Sequence, residues 1–164
     1  MIGLAIDDLR LTRFADRCAR TEERRTSPKS NIVNPGGLLT AAEMGARTKS
    51  YSLRVLKLVH SLPQNRACDI LGGQLLRAGT SVGANYRAVC RAKSLADFIN
   101  KLRIVEEECD ESLLWMELLV EAGFVKNSRL ANLQAEGDEI LSIIVSSTKT
   151  ARASHRVSIV NRPS

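Results

Sequence analysis

The sequence predicts an all-α protein, an antiparallel up-down-up-down four-helix bundle with a flexible N-terminal extension. Apolar and small residues recur at spacings of three and four through two successive stretches. The first is Cys68, Leu71, Leu75, Ala78, Val82, Asn85, Val89 and Ala92; the second is Leu95, Phe98, Leu102, Val105, Cys109, Ser112, Met116 and Leu119. That pattern is the coiled-coil-like seam of a helical hairpin. The chain is 44% hydrophobic, enough for a packed core, yet only 4% aromatic, which disfavours a sandwich or barrel. Helix stop signals fall between the periodic stretches, at Pro63 and Gly123.

Taken in order, residues 1–46 read as an appendage. Met1 to Arg25 could form a short amphipathic helix through Ile2, Ile6, Leu9 and Phe14. Ser27-Pro28, Asn34-Pro35 and Gly36-Gly37 are turn and linker signals, so this extension is expected to be poorly ordered. The bundle is placed at 47–152. Its first helix is predicted over Thr48 to Leu62, with Leu53, Leu56, Val59 and His60 on its apolar face. The second runs from Ala67 to Ala92, weakened by Gly72, Gly73, Gly79 and Gly83 at roughly 1 kcal/mol each relative to Ala. The third begins at a capping box, Ser94 with Asp97, and ends at Gly123. The fourth starts near Ser128 and runs to Ala151, with Leu130, Leu133, Gly137, Ile140, Ile144 and Ser147 as its stripe. Residues 153–164 read as a polar, basic tail.

Charge is segregated. The net charge is +6, yet residues 94–122 hold eight acids against Lys101 and Arg103, and residues 66–93 hold five basic groups against Asp69. A basic surface suits a polyanionic partner; it also suits a soluble protein that simply has a high pI. The candidate phosphate contacts are Arg54, Lys57, Arg77, Arg87, Arg91, Lys93, Lys149 and Arg152. Aromatic residues are too sparse among them for a single-strand stacking platform.

The remaining chemistry is thin. Glu106, Glu107, Glu108, Asp110 and Glu111 are expected to form a solvated face and ion pairs with Arg77, Arg87 or Arg91. Bundle di-metal sites need Glu-x-x-His, and neither His60 nor His155 follows a Glu at that spacing. No metal and no cofactor are expected. Gln74, Ser81 and Asn85 share a face of the second helix and could line a ligand pocket. The alternative is a register-fixing polar network with Glu111 and Ser112 on the third helix. Trp115 is expected to pack at the bundle rim or against a second subunit. Thr80-Ser81 lacks a neighbouring His and a nucleophile elbow, and Gly72 to Ser81 lacks the Gly-Lys of a phosphate loop. The reading is therefore non-enzymatic, with no small-molecule substrate. Cys18, Cys68, Cys90 and Cys109 show no C-x-x-C spacing. They are read as reduced thiols of a cytoplasmic protein, and no secretory or membrane-spanning segment is evident.

The stretch Gln74-Leu75-Leu76-Arg77-Ala78-Gly79-Thr80-Ser81-Val82-Gly83-Ala84-Asn85-Tyr86-Arg87 resembles the four-helix bundle proteins named for reading frames in 23S rRNA intervening sequences. So do Ser94, Asp97-Phe98-Ile99 and Lys101-Leu102, and the acidic run ending Asp110-Glu111-Ser112-Leu113-Leu114-Trp115-Met116. The resemblance spans about residues 50–150. The accessory variability protein of diversity-generating retroelements is similar in fold. The resemblance implies a homopentamer and, in the retroelement branch, a basic surface for structured nucleic acid beside a reverse transcriptase partner. This chain departs from the pattern at Ala88, where many relatives carry Glu, and in its long N-terminal extension. A protein-interaction scaffold, its acidic third helix paired with a neighbour's basic second helix, is the competing reading.

Overall fold

A computed structural model of the chain describes residues 40–160, with side chains described through Ala153. Among the described residues four helices run in sequence: α1 (Ala41–His60), α2 (Arg66–Val89), α3 (Leu95–Glu121) and α4 (Asn127–Val160). Each packs on the next, and α4 returns to close on α1. Among the described residues there is no strand. The predicted amphipathic helix at Met1 to Arg25 and the linker at 26–37 lie outside the described residues, as does Cys18.

The first helix starts seven residues before its predicted position. Thr40 is its N-cap: Thr40 Oγ1 accepts from the Glu43 amide at 3.2 Å, and Glu43 Oε2 accepts from the Thr40 amide at 2.7 Å. This reciprocal box satisfies two otherwise orphaned donors. These bonds hold the Glu43 carboxyl below its usual pKa. Ala41 and Met44 are thereby part of the core.

The apolar face predicted for this helix is also corrected. Leu53 and Leu56 are about half exposed, and His60 is exposed. The buried stripe is Ala41, Met44, Thr48, Tyr51, Val55 and Leu58. Tyr51 and Val55, beside polar Ser52 and Arg54, are the face that fits. A stripe read through the more hydrophobic leucines is rotated toward solvent.

In α2 one of the two alternating core positions is displaced by a residue. Cys68, Leu75, Val82 and Val89 are buried as expected, and Ala78 is buried too, but Leu71 and Asn85 are only half-buried while Gly72, Gly79 and Tyr86 are in the core. The spacing of three and four is kept along the whole helix. Glycines at 72 and 79 carry no side chain to mark this row as apolar, so the sequence points to its neighbours instead. In α3 the predicted core positions from Phe98 to Leu119 are buried. Ser94 Oγ accepts from the Asp97 amide at 3.1 Å, while the Asp97 carboxylate reaches one residue further back, to the Lys93 amide at 2.9 Å. The helix ends at Gly123 with φ of 75°. The Phe124 amide bonds Leu119 O and the Gly123 amide bonds Val120 O, the double bond of a Schellman turn that needs a left-handed residue at Gly123.

α4 buries Leu130, Leu133, Gly137, Ile140, Ile144, Thr148 and Ala151. It continues to Val160 rather than stopping at Ala151. The stripe from Leu130 to Ala151 runs for about six turns.

Two close approaches set the helix spacing. A Cβ at Gly79 would lie 2.7 Å from Val55 Cγ1, and a Cβ at Gly137 would lie 2.8 Å from Leu113 Cδ2 and 3.0 Å from the Tyr51 hydroxyl. Ser52 Oγ, on α1, donates to Gly79 O at 2.8 Å. Gly79, which weakens α2 as an isolated helix, is thus what lets α1 approach its backbone.

Candidate nucleic-acid interface

An apolar pocket orders the geography of the charged residues. Tyr86 from the last turns of α2, Phe98 from the first turn of α3, Ser147 from α4 and Met44 from the start of α1 all line it. These four helix segments therefore share one end of the bundle. Arg87 follows Tyr86, Arg91 and Lys93 sit in the α2–α3 turn, and Lys149 and Arg152 follow Ser147 on α4. All five are exposed. Arg87 and Lys149, 62 positions apart in sequence, are gathered here because α2 and α4 both run toward this end. The one acidic group in the turn region, Asp97, is already engaged. It accepts from Lys101 Nζ at 2.7 Å and from the Lys93 amide, and these bonds hold its carboxyl below the usual range.

The other predicted contacts lie elsewhere. Lys57 is exposed near the C-terminus of α1, at the opposite end, and Arg54 is half-buried on α1. At that far end Arg129 Nη2 donates to Ser61 Oγ at 3.3 Å. Arg77 lies mid-helix on α2. Its guanidinium donates to Glu108 at 3.3 Å and to Glu111. Glu111 also accepts from Trp115 Nε1 at 3.1 Å. Arg77 and Trp115 hold the Glu111 carboxyl below its ordinary pKa, and Glu111 raises that of Arg77. Arg77 thus bridges α2 to the acidic α3, as the charge pattern anticipated for this pair. Trp115 is half-buried at the α3 surface, beside the half-exposed Leu114.

The five polar residues grouped by the sequence do not form one network. Gln74 is exposed on α2, and Ser81 and Asn85 are half-buried. Ser112 is fully buried and pairs across to α1: its Oγ lies 2.7 Å from the Tyr51 hydroxyl and donates to Cys109 O at 2.7 Å. The serine proton is committed to that carbonyl, so Tyr51 is the donor to Ser112 Oγ. Burial pushes the Tyr51 phenol above its ordinary value, and burial pushes the neighbouring Cys109 thiol up to about 12. Cys109 Sγ in turn donates to Gly137 O at 3.4 Å. The buried polar chain therefore joins α1, α3 and α4, while Glu111 belongs to the surface pair with Arg77. Sequence spacing showed neither Tyr51 as the partner of Ser112 nor Arg47, which holds Glu136 at 2.6 Å and also Glu139 of α4. The signal for Tyr51 is its place in the Thr48, Tyr51, Val55, Leu58 stripe; nothing local marks Arg47.

Among the described residues no group of three or more His, Cys, Asp or Glu is arranged to hold a metal ion. Residues 43–146 match the family described as 23S rRNA-intervening sequence protein. The chain belongs to that family. It is similar to a crystal structure of a protein of unknown function from the S23 ribosomal protein family of Bacteroides thetaiotaomicron. The two are 30% identical with a TM-score of 0.62, over 66% of this chain and 97% of that one. No curated protein matches. The family match begins at the third residue of α1 and covers all of α2 and α3, so the basic turn after α2 lies within it, while Lys149 and Arg152 lie just beyond its end. Among the described residues no helix is long and apolar enough to cross a membrane.

Proposed function

We propose that this protein is a non-enzymatic, cytoplasmic homo-oligomer that binds structured RNA, or an RNA–protein complex, through the basic end of its bundle. The observation that supports this most directly is the gathering of Arg87, Arg91, Lys93, Lys149 and Arg152 at one end of the bundle. Five cations without an aromatic platform suit phosphates rather than bases. Membership of a family named for 23S rRNA intervening sequences is consistent with an RNA context. The pentameric state follows from the resemblance, and an accessory role beside a reverse transcriptase is the same reading with a protein partner added.

Fluorescence anisotropy of the full chain with a structured RNA, across a salt series, tests this. Neutralising about four or five phosphates should give a log–log salt slope of roughly −3 to −5. The double change Arg87→Glu and Arg91→Glu should abolish binding while native mass spectrometry still reports the same oligomer. Binding that is absent at low salt, or indifferent to salt, would refute the proposal.

A second reading rests on the charge segregation itself. Net negative α3 would pair with a neighbour's basic α2, and the protein would act as a scaffold. In that case the same double change disperses the oligomer.

A further inference from the structure

Two exposed rows are left once the core and the basic end have taken their residues. On α1, Ala42, Ala46, Lys49, Leu53, Leu56 and His60 are all exposed and recur at spacings of four and three. They form a second seam, on the side of the helix turned away from its buried stripe. On α3, Ile104, Glu107, Glu111, Leu114 and Leu118 recur at spacings of three and four along the outer face. Leu53, Leu56 and Leu114 are each about half exposed, and Ile104 is exposed as well. Single surface leucines are ordinary; apolar residues set in a row at helical spacing mark a docking face. The charges bordering the two rows are opposite. No acidic residue follows Glu43 on α1, and Lys49, Arg54 and Lys57 border its leucines. α3 exposes Glu107, Asp110, Glu117 and Glu121 against Arg103. The basic end of the bundle makes no use of Arg54 and Lys57.

α1 and α3 are diagonally opposed, each packed beside α2 and α4, and Tyr51 reaches Ser112 across the core. The two outer rows therefore point in opposite directions. They also sit at similar heights along the bundle, since Leu53 is two residues past Tyr51 and Leu114 two residues past Ser112. We infer that the outer row of α1 in one copy of the chain docks on the outer row of α3 in the next. Leucines meet leucines, and the lysines of α1 face the glutamates of α3, which fixes partner and orientation. α1 and α3 run in the same direction, so the two helices meet in parallel. The paired surfaces differ and lie on opposite sides of the molecule, so the contact is heterologous and each copy uses one face on each neighbour. Equal heights let copies add side by side without sliding along the bundle axis, which favours a closed ring over a filament. The inference rests on the homo-oligomeric part of the proposed function and assigns its surface; RNA binding does not enter.

Native mass spectrometry of the full chain and two variants tests it. One variant carries Leu53→Glu with Leu56→Glu, the other Ile104→Glu with Leu114→Glu. All four positions are exposed, so both variants should keep the helical circular dichroism of the wild type. Each alone should run as a monomer. Mixed one to one, they should form a heterodimer and nothing larger, because each supplies the face the other lacks. A variant that keeps the wild-type oligomer, or a mixture that stays monomeric, would overturn the inference. Should a leucine variant fail to fold, charge reversal decides instead. Lys49→Glu with Lys57→Glu should disperse the oligomer, and adding Glu107→Lys with Glu117→Lys to the same chain should restore it; no restoration would overturn the pairing. A wild-type chain that is itself monomeric would remove the homo-oligomeric reading as well, whereas a wild-type oligomer indifferent to every variant would remove this interface alone.

Discussion

Ser112 is a polar residue of the core whose side chain ties α3 to α1. It is buried, accepts from Tyr51 and donates to Cys109 O. Among the described residues no buried side-chain nitrogen or oxygen is left without a partner. Removing the serine hydroxyl would strand the buried Tyr51 donor, at a cost of about 1–3 kcal/mol. Tyr51→Phe removes the donor instead and leaves the serine bonded to its own helix. Ser112→Ala should therefore destabilise the protein more than Tyr51→Phe, and the double variant should recover part of the loss. Denaturant unfolding of the three variants checks this; equal losses for the two single changes would place the cost in packing rather than in the unpaired hydroxyl.

At the scale of the helices, the glycines of α2 separate into two kinds. Gly79 faces Val55 so closely that an added Cβ would sit 2.7 Å from a methyl, whereas nothing lies within 4 Å of a Cβ at Gly73. Gly79→Ala should destabilise by about 1–3 kcal/mol through overpacking, outweighing its gain in helix propensity. Gly73→Ala should stabilise by about 0.5–1 kcal/mol, because it only restricts the unfolded chain. Thermal unfolding of both variants gives the two signs directly, and the same sign for both would mean that α1 can back away from α2. The surface pairs act between helices rather than along them. Arg77 ties α2 to α3 and Arg47 ties α1 to α4. The Arg77 side chain is half exposed, so solvent screening keeps its pair a modest contribution.

For the whole molecule, the core predicts an alkaline limit. Tyr51 and Cys109 both prefer their neutral forms when folded, the thiol up to about 12. In the unfolded chain a thiol ionises near pH 8.5 and a phenol near 10. Their contribution is complete below about pH 8.5 and declines as pH rises toward the folded values, because only the unfolded state gains from losing the protons. The urea midpoint should thus fall between pH 8 and 11, and Cys109→Ala or Tyr51→Phe should flatten that fall. An unaltered slope in both variants would trace it to other groups. The charges outside the core are arranged differently, with acids concentrated along α3 and cations converging at one end. That arrangement gives the molecule an electrostatic polarity that net charge alone does not express.

The four helices, their order, the α3 core and the caps at Ser94 and Gly123 were legible in the residues themselves. Periodicity, N-cap chemistry and a glycine that can adopt a positive φ are local properties, readable within a few residues. The start of α1 was also locally marked, by Thr40 and Glu43, but the linker signals just upstream obscured it. Which face of α1 turns inward was not legible, since Leu53 and Leu56 are more hydrophobic than Thr48 and only packing against Gly79 and Gly137 selects the other stripe. A helical bundle and a segregated charge follow from local residue pattern, whereas which charges meet depends on how the helices pack. Arg87 and Lys149 stand at one end, Arg77 is held by α3, and Ser112 finds Tyr51, because antiparallel packing brings together positions that no linear spacing relates.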